Sequence, residues 1–176
     1  MPPGAGDEAP HEPPTSAGAT WHESWSFDFL DPSGVHGEVR LSFSPVGGTA
    51  SWWTRLDVPD IGLVVVRDDE LSLPRRAGAL VVRGDGLWAD LLCETPFEHW
   101  TIGVEAFGLL VDDVADEVGE RIPVGLDLEW EVTEGDVIDA GDSGYGQAGT
   151  MRGEVLVGDA RLDLDAPSHR RHRWGP

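Results

Sequence analysis

The residues of this 176-residue chain best suited to chemistry fall in two short stretches. Near the C-terminus, Asp165-Ala-Pro-Ser-His169-Arg-Arg-His172-Arg-Trp174-Gly-Pro176 offers two imidazoles three residues apart and the chain's only dense positive patch, Arg170, Arg171 and Arg173. A His-x-x-His pair supplies two nitrogen donors, but no third ligand lies near it in sequence, so no metal site and no cofactor is expected. The arginines are expected to pair with the acidic surface rather than with an outside phosphate. In the second stretch, Cys93 and His99 have the types of a nucleophile and its base, with Glu94, Glu98 and Glu105 close by. A catalytic thiolate needs an electropositive setting, whereas these neighbours are acidic. A buried structural thiol is the expectation.

Other chemistries find no support. Gly141-Asp-Ser-Gly144 has the wrong frame for a nucleophile elbow, and neither a phosphate-binding Gly-x-x-x-x-Gly-Lys loop nor a dinucleotide fingerprint occurs. All 12 basic residues are Arg, so Schiff-base chemistry has no amine to use. Against them stand 33 acidic residues, a formal charge of −21 that repels phosphate backbones and anionic headgroups over most of the surface. Nucleic acid and membrane are therefore not expected partners. A single cysteine forms no internal disulfide, and Met1-Pro-Pro-Gly-Ala-Gly lacks the basic and apolar regions of a secretory signal. The longest apolar runs, such as Leu63 to Val66, are far shorter than the roughly 20 residues a spanning helix needs. A cytoplasmic protein is expected.

Eight tryptophans are a heavy aromatic load. Each brings a large apolar surface and one N–H donor, which suits both a β core and a pocket wall. Trp52 and Trp53 are adjacent, so on a strand they point to opposite faces, and at least one leaves the main core. That one is either covered by a loop or partner, or lines a barrel interior that holds an apolar ligand.

The elements that would position these residues are strands. In Leu126-Asp-Leu-Glu-Trp-Glu-Val132, apolar and acidic residues alternate with period two, the mark of a strand with one wet face. The same alternation places Trp25, Phe27 and Phe29 on one face, Val39, Leu41 and Phe43 on another, and Trp100, Ile102, Val104 and Ala106 on a third. Turn residues fall between these runs, at Asp31-Pro-Ser-Gly34, Pro45-Val-Gly-Gly48, Pro74 to Gly78, Gly84-Asp-Gly86 and Ala140 to Gly144. Short strands at regular spacing predict an all-β fold, an antiparallel lipocalin-like barrel or a β-sandwich. Only Leu109 to Arg121 carries a weak helical stripe, and it predicts one short helix or an acidic loop. Residues 1–18, with Pro2, Pro3, Pro10, Pro13 and Pro14 and no periodic apolar residue, predict a disordered leader. Residues 19–176 are then a single β domain.

Trp21-His-Glu-Ser-Trp25, Cys93-Glu-Thr-Pro-Phe97-Glu-His-Trp100, Gly125 to Glu131, Tyr145-Gly-Gln147 and His169-Arg-Arg-His172-Arg-Trp174-Gly together resemble the first half of AttH-like proteins, distant relatives of the carotenoid 1,2-hydratases built from two lipocalin-like β domains. In hydratase-type members a His-x-Trp near the domain junction lines a pocket in which a downstream acid protonates an alkene before water adds. His172 and Trp174 match that pattern, although Arg173 stands where a small polar residue is usual. The second domain and its acid have no counterpart in this sequence.

The resemblance implies a module that binds an apolar small molecule, isoprenoid, steroid or polyketide-like, or that pairs as a homodimer or with a second β domain. Trp52, Trp53, Trp100, His172 and Trp174 are the expected ligand contacts. The alternative is a cofactor-free hydratase or cyclase in which Glu23, Asp28 or Glu105 is the proton donor and His172 assists. Such a carboxyl must be kept protonated by a dry pocket.

Overall fold

The computed structural model describes residues 3–75, 78–133, 138–141 and 143–176. Among the described residues eleven strands follow one another: β1 (His22–Leu30), β2 (His36–Ser44), β3 (Thr49–Val58), β4 (Gly62–Ser72), β5 (Leu80–Gly84), β6 (Leu87–Thr95), β7 (His99–Val111), β8 (Glu120–Val132), β9 (Ile138–Gly141), β10 (Gly144–Val157) and β11 (Ala160–Gly175). They form one sheet in the order β4-β3-β2-β1-β11-β10-β8-β7-β6-β5, with β9 beside β10. The pairings are antiparallel, as the predicted alternation requires.

The sheet closes on itself. Leu63, Val64 and Val65 of β4 pair with Val111, Leu110 and Leu109 at the far end of β7. The earlier part of the same β7 edge, from His99 to Ala106, pairs instead with β6. The ring is therefore narrow where β4 meets β7, and the β5–β6 hairpin widens it at the opposite end. We call the narrow end the base and the wide end the mouth.

The expected faces are the observed ones. Trp25, Phe27, Phe29, Val39, Leu41, Phe43, Trp100, Ile102, Val104, Leu126, Leu128 and Trp130 are all buried in one core. Each large side chain so buried contributes about 1.5–3 kcal/mol. Two glycines make room for the rings. A Cβ at Gly37 would lie 2.2 Å from Cζ of Phe29, and one at Gly149 would lie 2.4 Å from Cε2 of Trp130.

Of two expectations, one resolves to its second alternative and one is corrected. Between Val111 and Glu120 the chain is an acidic loop and not a helix: the Asp116 carboxylate accepts from the amides of Asp112 and Asp113, and Asp113 accepts from Ala115. Such side-chain bonds compete with a helical ladder. The leader is also ordered where described. Ala5–Glu8 form a single 3-10 turn, and Glu8 is only 5% exposed. Apolar periodicity gave no hint of this because polar contacts, described below, hold the segment. No helix among the described residues is long and apolar enough to cross a membrane.

Candidate functional site

The mouth carries buried polar residues in layers fixed by strand register. On β11, Leu164, Ala166, Ser168, Arg170 and His172 all face inward, so the strand changes from apolar to polar as it climbs from base to mouth. Register places Arg170 level with Gln147 of β10 and Phe27 of β1, and His172 level with Tyr145 and Trp25. Glu23 lies one step further out, opposite Trp174.

The deeper layer is an ionic cluster. Arg170, 1% exposed, donates from Nη1 to Glu8 Oε2 at 3.0 Å and from Nη2 to Glu8 Oε1 at 2.6 Å. Its Nε donates to Gln147 Oε1 at 2.9 Å, and Gln147 Nε2 donates to the carbonyl of Phe97 at 3.0 Å. The Phe97 amide donates to Glu8 Oε1 at 2.8 Å, closing the loop of bonds. The guanidinium also lies 4.9 Å from the centre of the Trp130 ring and 5.2 Å from that of Tyr145. A buried charge is tolerated only when its partners are this complete.

The outer layer is a His–Glu–His cluster. His172 Nε2 meets Glu23 Oε1 at 2.8 Å, and His11 Nδ1 meets the same oxygen at 2.7 Å. The His11 amide donates to both carboxylate oxygens, at 3.1 and 3.0 Å. Each imidazole is stacked on an indole, His172 on Trp25 at 4.3 Å and His11 on Trp174 at 4.0 Å between ring centres. Burial pushes the Glu23 carboxyl up, but the hydrogen bonds from His11 and His172 outweigh it and hold the group below the usual carboxylate range. Burial likewise lowers both imidazoles. In His172 it prevails, whereas in His11 the bonds and charges of Glu23 and Asp7 reverse it and the ring is raised. Tyr145 is pushed well up by burial.

Beside these layers a cleft of about 440 Å³ opens between the leader and the β5–β6 hairpin. Ala5, Ala9, Leu80, Leu91 and Trp100 form apolar walls, and Glu8 and Cys93 add polar atoms. Burial, together with the charge of Glu8, raises the Cys93 thiol to about 11. A resting thiolate is thus disfavoured, although Cys93 is half-buried on the cleft wall and not in the core as expected.

The structure gathers some of the predicted site residues and scatters others. Glu23, His172 and Trp174 meet at the mouth, and Trp100 lines the cleft. Trp52 is fully buried in the core, its Nε1 donating to Thr54 Oγ1 at 2.9 Å. Trp53 lies on the outer face beneath the Arg40 guanidinium, 5.5 Å from the ring centre, so it lines no interior. Asp28 accepts from Arg171 on the outside, and Glu105 is exposed. His169 and His172, three apart on a strand, point to opposite faces and do not share a ligand. Sequence reasoning missed Glu8, His11, Tyr145, Gln147 and Arg170 as site residues. Arg170 and His172 carried a usable signal, because they continue the inward period of Leu164 and Ala166.

Fold and site define an all-β barrel of antiparallel strands whose wide end is closed by a leader segment over a buried polar cluster. The chain belongs to the family described as Domain of unknown function (DUF7064), which matches residues 4–176 and so takes in both Glu8 and His11. No curated protein and no solved structure matches it.

Proposed function

We propose that this chain is a lipocalin-like binding module that takes a small, largely apolar molecule of isoprenoid, steroid or polyketide-like character at the barrel mouth. The cleft over Trp100 carries this reading. Its volume of about 440 Å³ falls in the range of small-molecule pockets, roughly 300–1,000 Å³, and its walls are apolar with a few polar groups at one end. The mouth is favoured over the barrel centre because Trp25, Trp52, Trp130 and Phe27 fill the centre.

The hydratase alternative draws less support. A proton donor must be kept neutral, whereas Glu23 is held below the usual carboxylate range between two imidazoles.

Titrating the protein with a panel of isoprenoids, steroids and polyketide-like molecules while following Trp fluorescence tests the reading. At least one micromolar ligand is expected, weakened by about 1–3 kcal/mol in Trp100→Ala and unchanged in Trp53→Ala. Turnover with solvent deuterium entering the ligand would favour the hydratase. A panel without any binder would leave pairing with a second β domain or a second copy.

A further inference from the structure

We propose that His11, Glu23 and His172 form a three-ligand site for a divalent transition-metal ion of the zinc type, in which the leader supplies one ligand and the barrel the other two. The inference does not rest on the small-molecule reading, since the residues concerned do not line the apolar cleft. The three donor atoms lie within 4.8 Å of one another. Both imidazole nitrogens are aimed at one carboxylate oxygen, at 2.7 and 2.8 Å. In a tetrahedral site with bonds of about 2.0–2.1 Å, donor atoms stand roughly 3.3 Å apart, so each nitrogen–oxygen distance needs to open by only about half an ångström, while the two nitrogens, within 4.8 Å of each other, settle to the same separation.

Three further observations point the same way. Metal-bound imidazoles usually give their second nitrogen to an oxygen that fixes ring orientation. Here His11 Nε2 faces Asp7 Oδ1 and His172 Nδ1 faces the Tyr145 hydroxyl, each at 3.4 Å. The indoles of Trp174 and Trp25 hold the two ring planes. A small void of about 30 Å³, lined by His11, Glu23, Phe43 and Leu73 among others, adjoins the carboxylate and has room for about one water. Two imidazoles and one carboxylate favour zinc and its neighbours over magnesium or calcium, which prefer oxygen ligands alone. Three protein ligands leave a fourth position for water or another small ligand. Occupancy would also fasten the leader, through His11, to β1 and β11.

The test uses the full chain, stripped with EDTA and titrated with Zn²⁺ alone by calorimetry in excess Mg²⁺, which saturates weak binding by the acidic surface. One equivalent is expected to bind, with affinity falling by on the order of 100-fold or more in His11→Ala and in Glu23→Gln, since even outer-shell losses cost 10–100-fold. His169→Ala should bind as the parent does. To keep the result independent of variant folding, ring-nitrogen resonances of the unmodified protein are followed as well. Those of His11 and His172 should shift with one equivalent of Zn²⁺ while that of His36, near the base, stays put. Zinc displaced by Mg²⁺, equal affinity in His11→Ala, or unmoved His11 and His172 resonances would each overturn the site.

Discussion

The two ends of the barrel are built from the same alternating strands and finished in opposite ways. At the base, β4 and β7 close the ring through Val64, Val65, Leu109, Leu110 and Val111, and Leu56, Val58, Val124 and Val157 pack behind them. At the mouth, the β5–β6 hairpin spreads the ring, and the inward positions go to Arg170, Gln147, His172 and Glu23, capped by Glu8 and His11 of the leader. An aliphatic end has no preferred partner, so a change there costs the lost contacts and the void but leaves no group unmatched. A polar end is specified by complementary pairs, so a single change leaves a buried group unmatched. The base is thus specified by packing alone, and the mouth by the identity of each partner.

The contrast is most strongly tested at Glu8. Removing it in Glu8→Ala leaves the Arg170 charge buried without its partner, and unfolding by urea should show a loss of about 3–5 kcal/mol. Replacing both partners at once, as Glu8→Leu with Arg170→Met, should recover part of that loss, because the ion pair is replaced by matched apolar groups while Gln147 Oε1 and the Phe97 amide still lose a partner. If the single variant is as stable as the parent, the cluster is not a specified unit. At the base, Leu56→Ala creates a void and should cost about 2–5 kcal/mol, with no double variant needed to interpret it. A different kind of effect is expected at Cys93 in the mouth cleft. With its thiol raised to about 11, alkylation should be far slower than for a free cysteine near neutral pH and climb about tenfold per pH unit to about pH 10. A plateau near pH 8 would mean the cleft is wetter and less acidic than described. Smallest of all, Arg171→Ala breaks only the exposed pair with Asp28 and should change stability by at most about 1 kcal/mol, although Arg171 is the direct sequence neighbour of Arg170.

Much of the base and little of the mouth is legible in the sequence, for a physical reason. Alternation such as Trp25-Ser-Phe27-Asp-Phe29 reports burial directly, because apolar side chains enter a core without regard to partner. It therefore gives the fold class and the faces of most strands. Polar burial is conditional on a partner, and the partners here are far apart: Glu23 and His172 are separated by 149 residues, Glu8 and Arg170 by 162. Glu8 is one acid among 33 and stands in a proline-rich stretch that reads as disordered. The His172 and Trp174 pairing attracted attention through resemblance, whereas His11 carried no signal at all. Even so, the period of β11 predicts that Arg170 and His172 face inward, and an inward arginine demands an acid from somewhere.

The central claim is that the leader is part of the mouth and not a loose tail. Hydrogen exchange at two backbone amides tests it most directly. The Phe97 amide donates to Glu8 Oε1, and the His11 amide donates only to the Glu23 carboxylate among the bonds described. Both should be protected well beyond the surrounding exposed residues in the parent protein, and Phe97 should lose that protection in Glu8→Ala while amides of the base strands keep theirs. Exchange of both amides at the rate of an unstructured chain in the parent protein would contradict the account.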